Sequence, residues 1–394
     1  MIEIIARKQY DEKFKEGFPL LVPQFVFETD LSKVEGELFH LLDHKNHFIA
    51  KGYVGKQNKG LGWLLSWKEN EEINDQFFMS KFIVALNKRT KFFQDEETTA
   101  FRVFNGEGDG IGGLTIDYYG GYYLFTFYSQ GIYKFKDSII NQFKNLVAFD
   151  GIYEKRRFDE KGKYMDADDF VMGQRGDFPI IIKENGVNIS VNLNDGAMTG
   201  VFLDQRDVRK TIMRKYANGK SVLNTFSYTG VFSVFAIMGG AKFTESVDLA
   251  NRSYAKTSEQ MEINVIDYET QSIVIEDVFK YFKRAKSEEK TFDMVILDPP
   301  SYAKSKGFTF SSAKDYTGLI KDAIDLTNDD GMIVASTNNS SVTREKFKSM
   351  IDDAFKAKKT KYKIVEEFGL PKDFAVNDRL KESDYLKVFF IKKS

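Results

Sequence analysis

The sequence predicts an α/β protein in three parts: a small β-barrel-like module over residues 1–70, an α+β section over 71–193, and a doubly wound, mostly parallel sheet over 194–394. Three observations carry this expectation. Between Ser221 and Asp298 four apolar strand-like runs alternate with helical segments, as crossover connections between parallel strands require. The second, third and fourth of those runs each end in an acid, Asp248, Asp277 and Asp298. The first 70 residues instead hold short apolar runs punctuated by turn formers.

Composition bounds the function. The chain has 394 residues, 42% hydrophobic and 29% charged, enough for two or three domains with their own cores. A net charge of −1 supplies no global field for nucleic acid, so any RNA-binding surface must be a local patch. With no cysteine, disulfides, thiolate metal sites and thiolate nucleophiles are excluded. The N-terminus lacks a signal-peptide pattern and no run is long enough to cross a bilayer, so a cytoplasmic protein with no membrane partner is expected. The only histidines, His40, His44 and His47, flank a turn and are expected to be solvated rather than metal-bound.

Taken in order, the apolar runs at Leu20–Pro23, Glu37–Asp43 and Phe48–Val54 predict strands, the last two forming a hairpin about Asp43-His44-Lys45-Asn46. Tyr53, Lys56, Lys59 and Trp63 offer a stacking and phosphate-contact surface for RNA; equally, the aromatics fill a barrel core. Ile73, Phe77, Phe78, Phe82, Ile83, Leu86 and Phe92 recur at helical spacing from Glu71 to Phe93. Strands return with Phe101–Phe104 and a hairpin turning at Gly120-Gly121. The glycine-rich Asn105–Gly113 lacks the Lys-Ser/Thr and helix of a phosphate loop and predicts a turn between strands. Lys155-Arg156-Arg157 is a basic run suited either to phosphate contact or to a solvated turn.

The second half carries the chemistry. Ser221–Phe232 predicts a buried strand, a tight polar turn and the start of a helix, an arrangement that aims backbone N–H groups at a ligand with anionic oxygens. Asp248 follows Gly230 by 18 residues, where a carboxylate can accept from ribose hydroxyls, and Asp277 can accept from an adenine amino group. An adenosine cofactor is therefore expected. Asp298-Pro299-Pro300-Ser301-Tyr302 then gives a turn that cannot continue a strand. Its free carbonyls can hold a base edge while Tyr302 stacks on the base. Lys304 and Lys306 follow as backbone contacts for RNA or as a solvated loop. Further strands are expected at Gly331–Asn338, Tyr362–Glu367 and Tyr385–Ile391, with a helix through Phe347, Met350, Ile351, Ala354 and Phe355.

The Asp-Pro-Pro turn resembles that of class I S-adenosylmethionine-dependent methyltransferases acting on nucleic-acid bases. Together with Gly200–Arg209, Leu223–Gly230, Asp277-Val278-Phe279, Asn105–Gly110 and Leu114–Asp117, it makes almost the whole chain similar to the bacterial PUA-domain rRNA methyltransferases. The characterised branch of that family makes 5-methylcytosine in large-subunit rRNA. The resemblance implies a Rossmann-like methyltransferase sheet behind an RNA-binding PUA module, with S-adenosylmethionine as cofactor, large-subunit rRNA as partner, and a homodimer. It implies cofactor contacts at Gln205, Arg206, Asn224, Phe226, Tyr228, Thr229, Gly230, Asp248, Leu249, Asp277, Val278 and Asp298. Arg206 suits the methionine carboxylate, or pairs with Asp204 or Asp207. Asp298, Pro299 and Tyr302 are the expected catalytic residues.

The sequence departs from the cytosine-5 branch at one decisive position. Asn338 stands where that branch carries its cysteine, and cytosine C5 needs a thiolate to add at C6. Methylation of a base nitrogen or another atom is then open, with Asp298 and the Pro299 carbonyl holding an exocyclic amine. So is a non-catalytic RNA- or ribosome-binding protein that retains the fold. A nicotinamide-dependent dehydrogenase is disfavoured, because the turn lacks Gly-x-Gly-x-x-Gly and leaves Asp-Pro-Pro without a role.

Overall fold

The computed structural model describes residues 1–28, 30–31, 33–57, 59–158, 168–305 and 308–394. The chain forms two compact units, the first from Met1–Ile182, Val191–Thr199 and Lys372–Ser383 and the second from Lys183–Ser190, Gly200–Pro371 and Asp384–Ser394. The first unit thus takes a segment from late in the sequence, and the second one from before Val191.

In the first unit β1 (Ile2–Ile5), β2 (Leu20–Leu21), β3 (Leu38–Leu42), β4 (Phe48–Gln57) and β5 (Gly60–Ser66) form one sheet in the order β1-β3-β4-β5-β2, beside α1 (Asp11–Lys15). The expected β3–β4 hairpin is present. Asp43 Oδ1 accepts from the N–H groups of Lys45 (2.8 Å) and His47 (2.9 Å), and Asn46 takes φ 66°, so the polar turn residues do the work their chemistry suits. His44 pairs with Asp11 and His47 with Asp43, and the described residues hold no metal-binding cluster.

Tyr53 and Trp63 fill the core rather than a stacking surface, being 0% and 5% exposed. The Tyr53 hydroxyl donates to the Gly112 carbonyl at 2.7 Å, and the Trp63 indole packs so closely that a Cβ on Gly112 would lie 2.1 Å from it. Burying these rings gains more than leaving them in water. Lys56 and Lys59 remain exposed, Lys59 paired with Glu382.

The helical pattern of 71–93 divides. α2 (Asp75–Lys88) begins where Asn74 caps the Phe77 N–H, four residues later than the spacing suggested. It ends at Arg89, whose backbone leaves helical geometry (φ −104°, ψ 9°) before the short α3 (Thr90–Phe93). A second sheet follows in the order β10-β9-β8-β7-β6, built from β6 (Ala100–Asn105), β7 (Leu114–Tyr119), β8 (Tyr122–Phe127), β9 (Gly151–Arg156) and β10 (Phe170–Gly173). α4 (Gln130–Tyr133) and α5 (Lys136–Lys144), not anticipated from the sequence, connect β8 to β9. Asn105–Gly113 is the turn expected between strands. Phe39, Tyr53, Phe78, Phe104 and Phe125 share one buried cluster, so residues 1–70 pack about a common core with the section from 71 to about 172, while Lys183–Ser190 belongs to the second unit.

Lys155 is neither a phosphate contact nor solvated: it is 1% exposed, ion-paired to Asp169, and donates to the Gly196 carbonyl at 2.6 Å. A buried ammonium needs such partners. Arg157 donates to the Ala197 carbonyl at 2.6 Å.

The two-stranded ribbon of β11 (Ile180–Glu184) and β12 (Val187–Val191) precedes the second unit's seven-stranded sheet. That sheet contains β13 (Ser221–Thr225), β14 (Phe243–Asp248), β15 (Ser272–Ile275), β16 (Phe292–Leu297), β19 (Thr327–Thr337), β20 (Tyr362–Phe368) and β21 (Lys387–Lys393). Its order is β15-β14-β13-β16-β19-β21-β20; the first five strands run parallel and β21 antiparallel to both neighbours. The hairpin β17 (Tyr302–Ser305) and β18 (Phe308–Ser311) stands apart from it. Lys306 and the Lys304 side chain lie outside the described residues.

Among the described residues this unit's α-helices are α6 (Arg206–Thr211), α7 (Val231–Met238), α8 (Arg252–Glu262), α9 (Val278–Ser287), α10 (Tyr316–Leu326) and α11 (Arg344–Ala357). Alternation along the strands covers both faces: Leu223, Val295 and Ile333 pack with residues of α9, α10 and α11, whereas Val222, Met294 and Val334 pack with Val208, Phe232 and Ala236. Among the described residues no helix is long and apolar enough to cross a membrane.

Candidate functional site

The chain enters this sheet at β13, moves outward to β14 and β15, and returns to the other side of β13 at β16. The carboxyl ends of β13 and β16 therefore flank the topological switch point, where open α/β sheets bind ligands. Register fixes what meets there. Thr225 lies opposite both Val247 and Leu297, and Leu297 opposite Ala335, so Phe226, Asp248, Asp298 and Ser336 leave the sheet along one edge.

The loop after β13 is strained. Phe226 and Tyr228 adopt φ 54° and Gly230 φ 74°, a region that costs non-glycine residues about 1–3 kcal/mol each. Its partners hold it there. The Ser227 N–H donates to the Val247 carbonyl (3.0 Å), the Tyr228 N–H to Asp248 Oδ2 (2.9 Å), and Thr229 Oγ1 to the Gly200 carbonyl (2.6 Å). The leading N–H groups of α7, which have no carbonyl a turn earlier, open from this loop. Asp248 also accepts from the Ala250 N–H (2.9 Å) and Ser253 Oγ (3.1 Å), and so ties the loop to α8.

A cleft opens here, lined by Gly200, Val201, Phe202, Gln205, Arg209, Phe226–Thr229, Val231, Phe232 and Asp298. Gln205 is 3% exposed; its Nε2 donates to Asp298 Oδ1 (3.1 Å) and Ser336 Oγ (2.7 Å), while among the described residues its buried Oε1 has no partner. Burial pushes the Asp298 carboxyl up to about 6, and neighbouring Asp204 adds to the rise. Hydrogen bonds from Ser336 and Gln205 and the charge of Arg209 offset part of it. Arg209 is itself paired through two bonds of 2.7 Å to Glu184 and donates to the Phe202 carbonyl at 2.8 Å.

The expected site residues divide by position. Gln205, Phe226, Tyr228, Thr229 and Asp298 line the cleft, with Gly230 at its rim. Asn224 is turned beneath the loop: it is 1% exposed, and its Nδ2 donates to Ser233 Oγ at 3.0 Å. Arg206, 4% exposed at the head of α6, is not among the lining residues, whereas Arg209 is. Along the same sheet edge, Leu249 is 58% exposed, Val278 is buried, and Asp277 caps α9 through its bond from the Lys280 N–H (3.1 Å). Pro299 is buried and Tyr302 is 69% exposed. Phe202, Arg209 and Ser336 were missed. Arg209 was visible only as the residue four after Gln205, one helical turn on, and Ser336 as a polar residue ending an apolar run.

Strained loop, strand-end acids and Asp-Pro-Pro turn describe a nucleotide-cofactor enzyme of the parallel α/β class. Comparison with known proteins identifies the family. Residues 154–384 match the S-adenosylmethionine-dependent methyltransferase model and residues 4–67 a PUA-like domain. The chain belongs to the S-adenosylmethionine-dependent methyltransferases. It is 51% identical to YwbD of Bacillus subtilis (strain 168), provisionally named a ribosomal RNA large subunit methyltransferase, with 99% of each chain covered. It is 28% identical to ribosomal RNA large subunit methyltransferase I of Alteromonas mediterranea, covering 98% of this chain and 97% of the relative. The crystal structure of SMU.776, provisionally described as a methyltransferase and complexed with SAH, superposes with a TM-score of 0.92 at 40% identity, with all of both chains covered.

The residues present fit that cofactor. Beside an open cleft sit an orphaned buried amide oxygen at Gln205, a helix N-terminus suited to a carboxylate, and strand-end acids suited to hydroxyl and amino donors.

Proposed function

We propose that this protein methylates a base of large-subunit ribosomal RNA, and that the accepting atom is a base nitrogen. The observation that carries the reading is the Asp298-Pro299-Pro300 turn: a carboxyl with a pKa of about 6, held by Gln205 and Ser336, opening onto the cleft beside an exposed Tyr302. The names of the relatives in Bacillus subtilis and Alteromonas mediterranea support ribosomal RNA as the substrate, and the PUA-like match supports an RNA-binding N-terminal module.

S-adenosylmethionine, when bound, supplies an electrophilic methyl group. Tyr228, Thr229 and Gly230 would hold its methionine end from one wall, with Gln205 from the other and Asn224 supporting the loop from below. Asp248 spends three acceptor positions on the protein, which leaves about one for a ribose hydroxyl. Phe226, Leu249 and Val278 provide apolar surface for adenine, and Asp277 an acceptor for its amino group. Asp298 and the Pro299 carbonyl accept from N–H groups of the target base, and Tyr302 stacks on it. At neutral pH the Asp298 carboxylate can take the proton that an amine sheds. No thiolate is available for addition to cytosine C6, since the chain has no cysteine.

The test is transfer of labelled methyl groups to undermethylated ribosomal RNA, with the product nucleoside identified by mass spectrometry. A nitrogen-methylated base is expected, and Asp298→Ala should abolish transfer in a folded protein. A 5-methylcytosine product would sink the nitrogen assignment; absence of any transfer would sink the enzyme reading.

A further inference from the structure

Two residues beyond Ser336, whose hydroxyl accepts from Gln205, one side chain is left over after the fold has used its neighbours. β19 ends at Thr337, and buried Asn339 ties down the loop that follows. Its N–H donates to Thr337 Oγ1 (3.3 Å) and its Nδ2 to Ser312 Oγ (3.0 Å), while its Oδ1 accepts from the N–H (3.0 Å) and Oγ (2.7 Å) of Ser341. Its carbonyl accepts from buried Lys387 Nζ (3.2 Å), which also donates to the Tyr385 carbonyl at 2.9 Å. The loop's course is thus set without Asn338, whose side chain is exposed.

Asn338 is nevertheless oriented. Ser301 Oγ donates to its Oδ1 at 2.9 Å, and among the described residues Nδ2 has no partner. With Oδ1 turned to Ser301, the Nδ2 hydrogens point away from it as donors. Ser301 directly follows Asp298-Pro299-Pro300, so its bond places the Asn338 amide against the end of that turn. A solvated asparagine gains little from having its oxygen pinned, whereas a reader of base edges gains a defined polarity.

We infer that Asn338 recognises the target base, donating from Nδ2 to an acceptor on its edge, a keto oxygen or an unprotonated ring nitrogen, with Ser301 fixing the amide's orientation. This rests on the reading of the protein as an RNA-base methyltransferase. Asp298 accepts from the base and Asn338 donates to it, so the pair selects an edge that carries both kinds of group.

Steady-state transfer to undermethylated ribosomal RNA by N338A, N338D and S301A tests it, with S-adenosylmethionine affinity and melting temperature measured on the same preparations. N338A should lower kcat/KM about tenfold through the lost donor. N338D should lower it further, because an acceptor then faces an acceptor. S301A should fall between wild type and N338A, while cofactor affinity and melting temperature stay at wild-type values throughout. Equal kcat/KM for wild type, N338A and N338D overturns the inference and leaves the proposed function standing. Parallel losses of cofactor affinity or stability overturn it in favour of a structural role. A wild-type protein that transfers no methyl group overturns the proposed function, and this inference with it.

Discussion

Burial raises the Asp298 pKa from 3.8 to about 6, so the folded chain holds this proton more tightly than the unfolded chain does. The sign of the linkage follows: the stabilising contribution is present below about pH 4 and is lost as pH rises through 6, where the carboxylate must sit charged at the desolvated wall of the cleft. Asp298→Asn should therefore raise the melting temperature at pH 8 and lose that advantage towards pH 4. A melting series in which the variant is less stable at every pH would refute the environment described. Activity has the opposite dependence. If the carboxylate is the working form, kcat/KM should fall about tenfold per unit below pH 6. Asp298 itself was legible from Asp-Pro-Pro, but its environment was not. Ser336 and Gln205 reach it from 38 residues downstream and 93 upstream, through a strand register and a helix start that no local pattern specifies.

At the scale of the element, the loop from Phe226 to Gly230 shows what a motif conceals. The apolar run of β13 and the glycine before α7 announce a β-loop-α unit. The positive φ at two aromatic residues is announced by nothing nearby, because the partners that impose it lie at Gly200, Val247 and Asp248. Helix α8 backs the same loop. An added Cβ on Gly230 would lie 2.4 Å from Thr257 Cγ2, and Thr257, branched at Cβ, cannot swing aside. Gly230→Ala should therefore cost about 1–2 kcal/mol of left-handed strain plus this clash, and weaken S-adenosylmethionine binding. Adding Thr257→Ala should recover only the clash. Calorimetric binding of cofactor to G230A with wild-type affinity would show that the loop does not need this geometry. α8 is itself anchored by mimicry of a strand. Gln260 exchanges bonds with the N–H (2.9 Å) and carbonyl (2.8 Å) of Ser190, and Asn264 does the same for Asn188 at 3.0 and 2.8 Å. The edge of β12 is thereby covered by side-chain amides.

For the whole molecule, the periodicities of 2 and 3.6 residues made the order of elements readable, but not the return of 372–383 to the first unit. That segment is held by a charge no local rule would bury. Arg89, 1% exposed, makes two bonds to Asp109 (2.8 and 2.7 Å) and donates to the Asp373 carbonyl at 2.6 Å across 284 residues of sequence. Asp373 in turn accepts from the Arg102 N–H at 2.8 Å, and Gly108 lies so close to the Ala375 carbonyl that a Cβ would meet it at 1.9 Å. Stranding a buried charge costs about 3–5 kcal/mol. Lys88 Nζ (3.2 Å) and the Asn105 N–H (2.8 Å) still serve Asp109 without Arg89, so Arg89→Met should destabilise the first unit by less than that. Arg89→Met with Asp109→Leu should recover part of the loss, because the under-compensated carboxylate is gone. Every residue lining the cleft belongs to the second unit, and affinity for S-adenosylmethionine below the melting transition should therefore stay within about twofold of wild type, a small fraction of the tenfold that 1.4 kcal/mol represents. Titration of the single variant at low temperature decides the matter: a cofactor affinity that falls in step with stability would show that the first unit shapes the cleft, and that the fold divides its labour less cleanly than its two cores suggest.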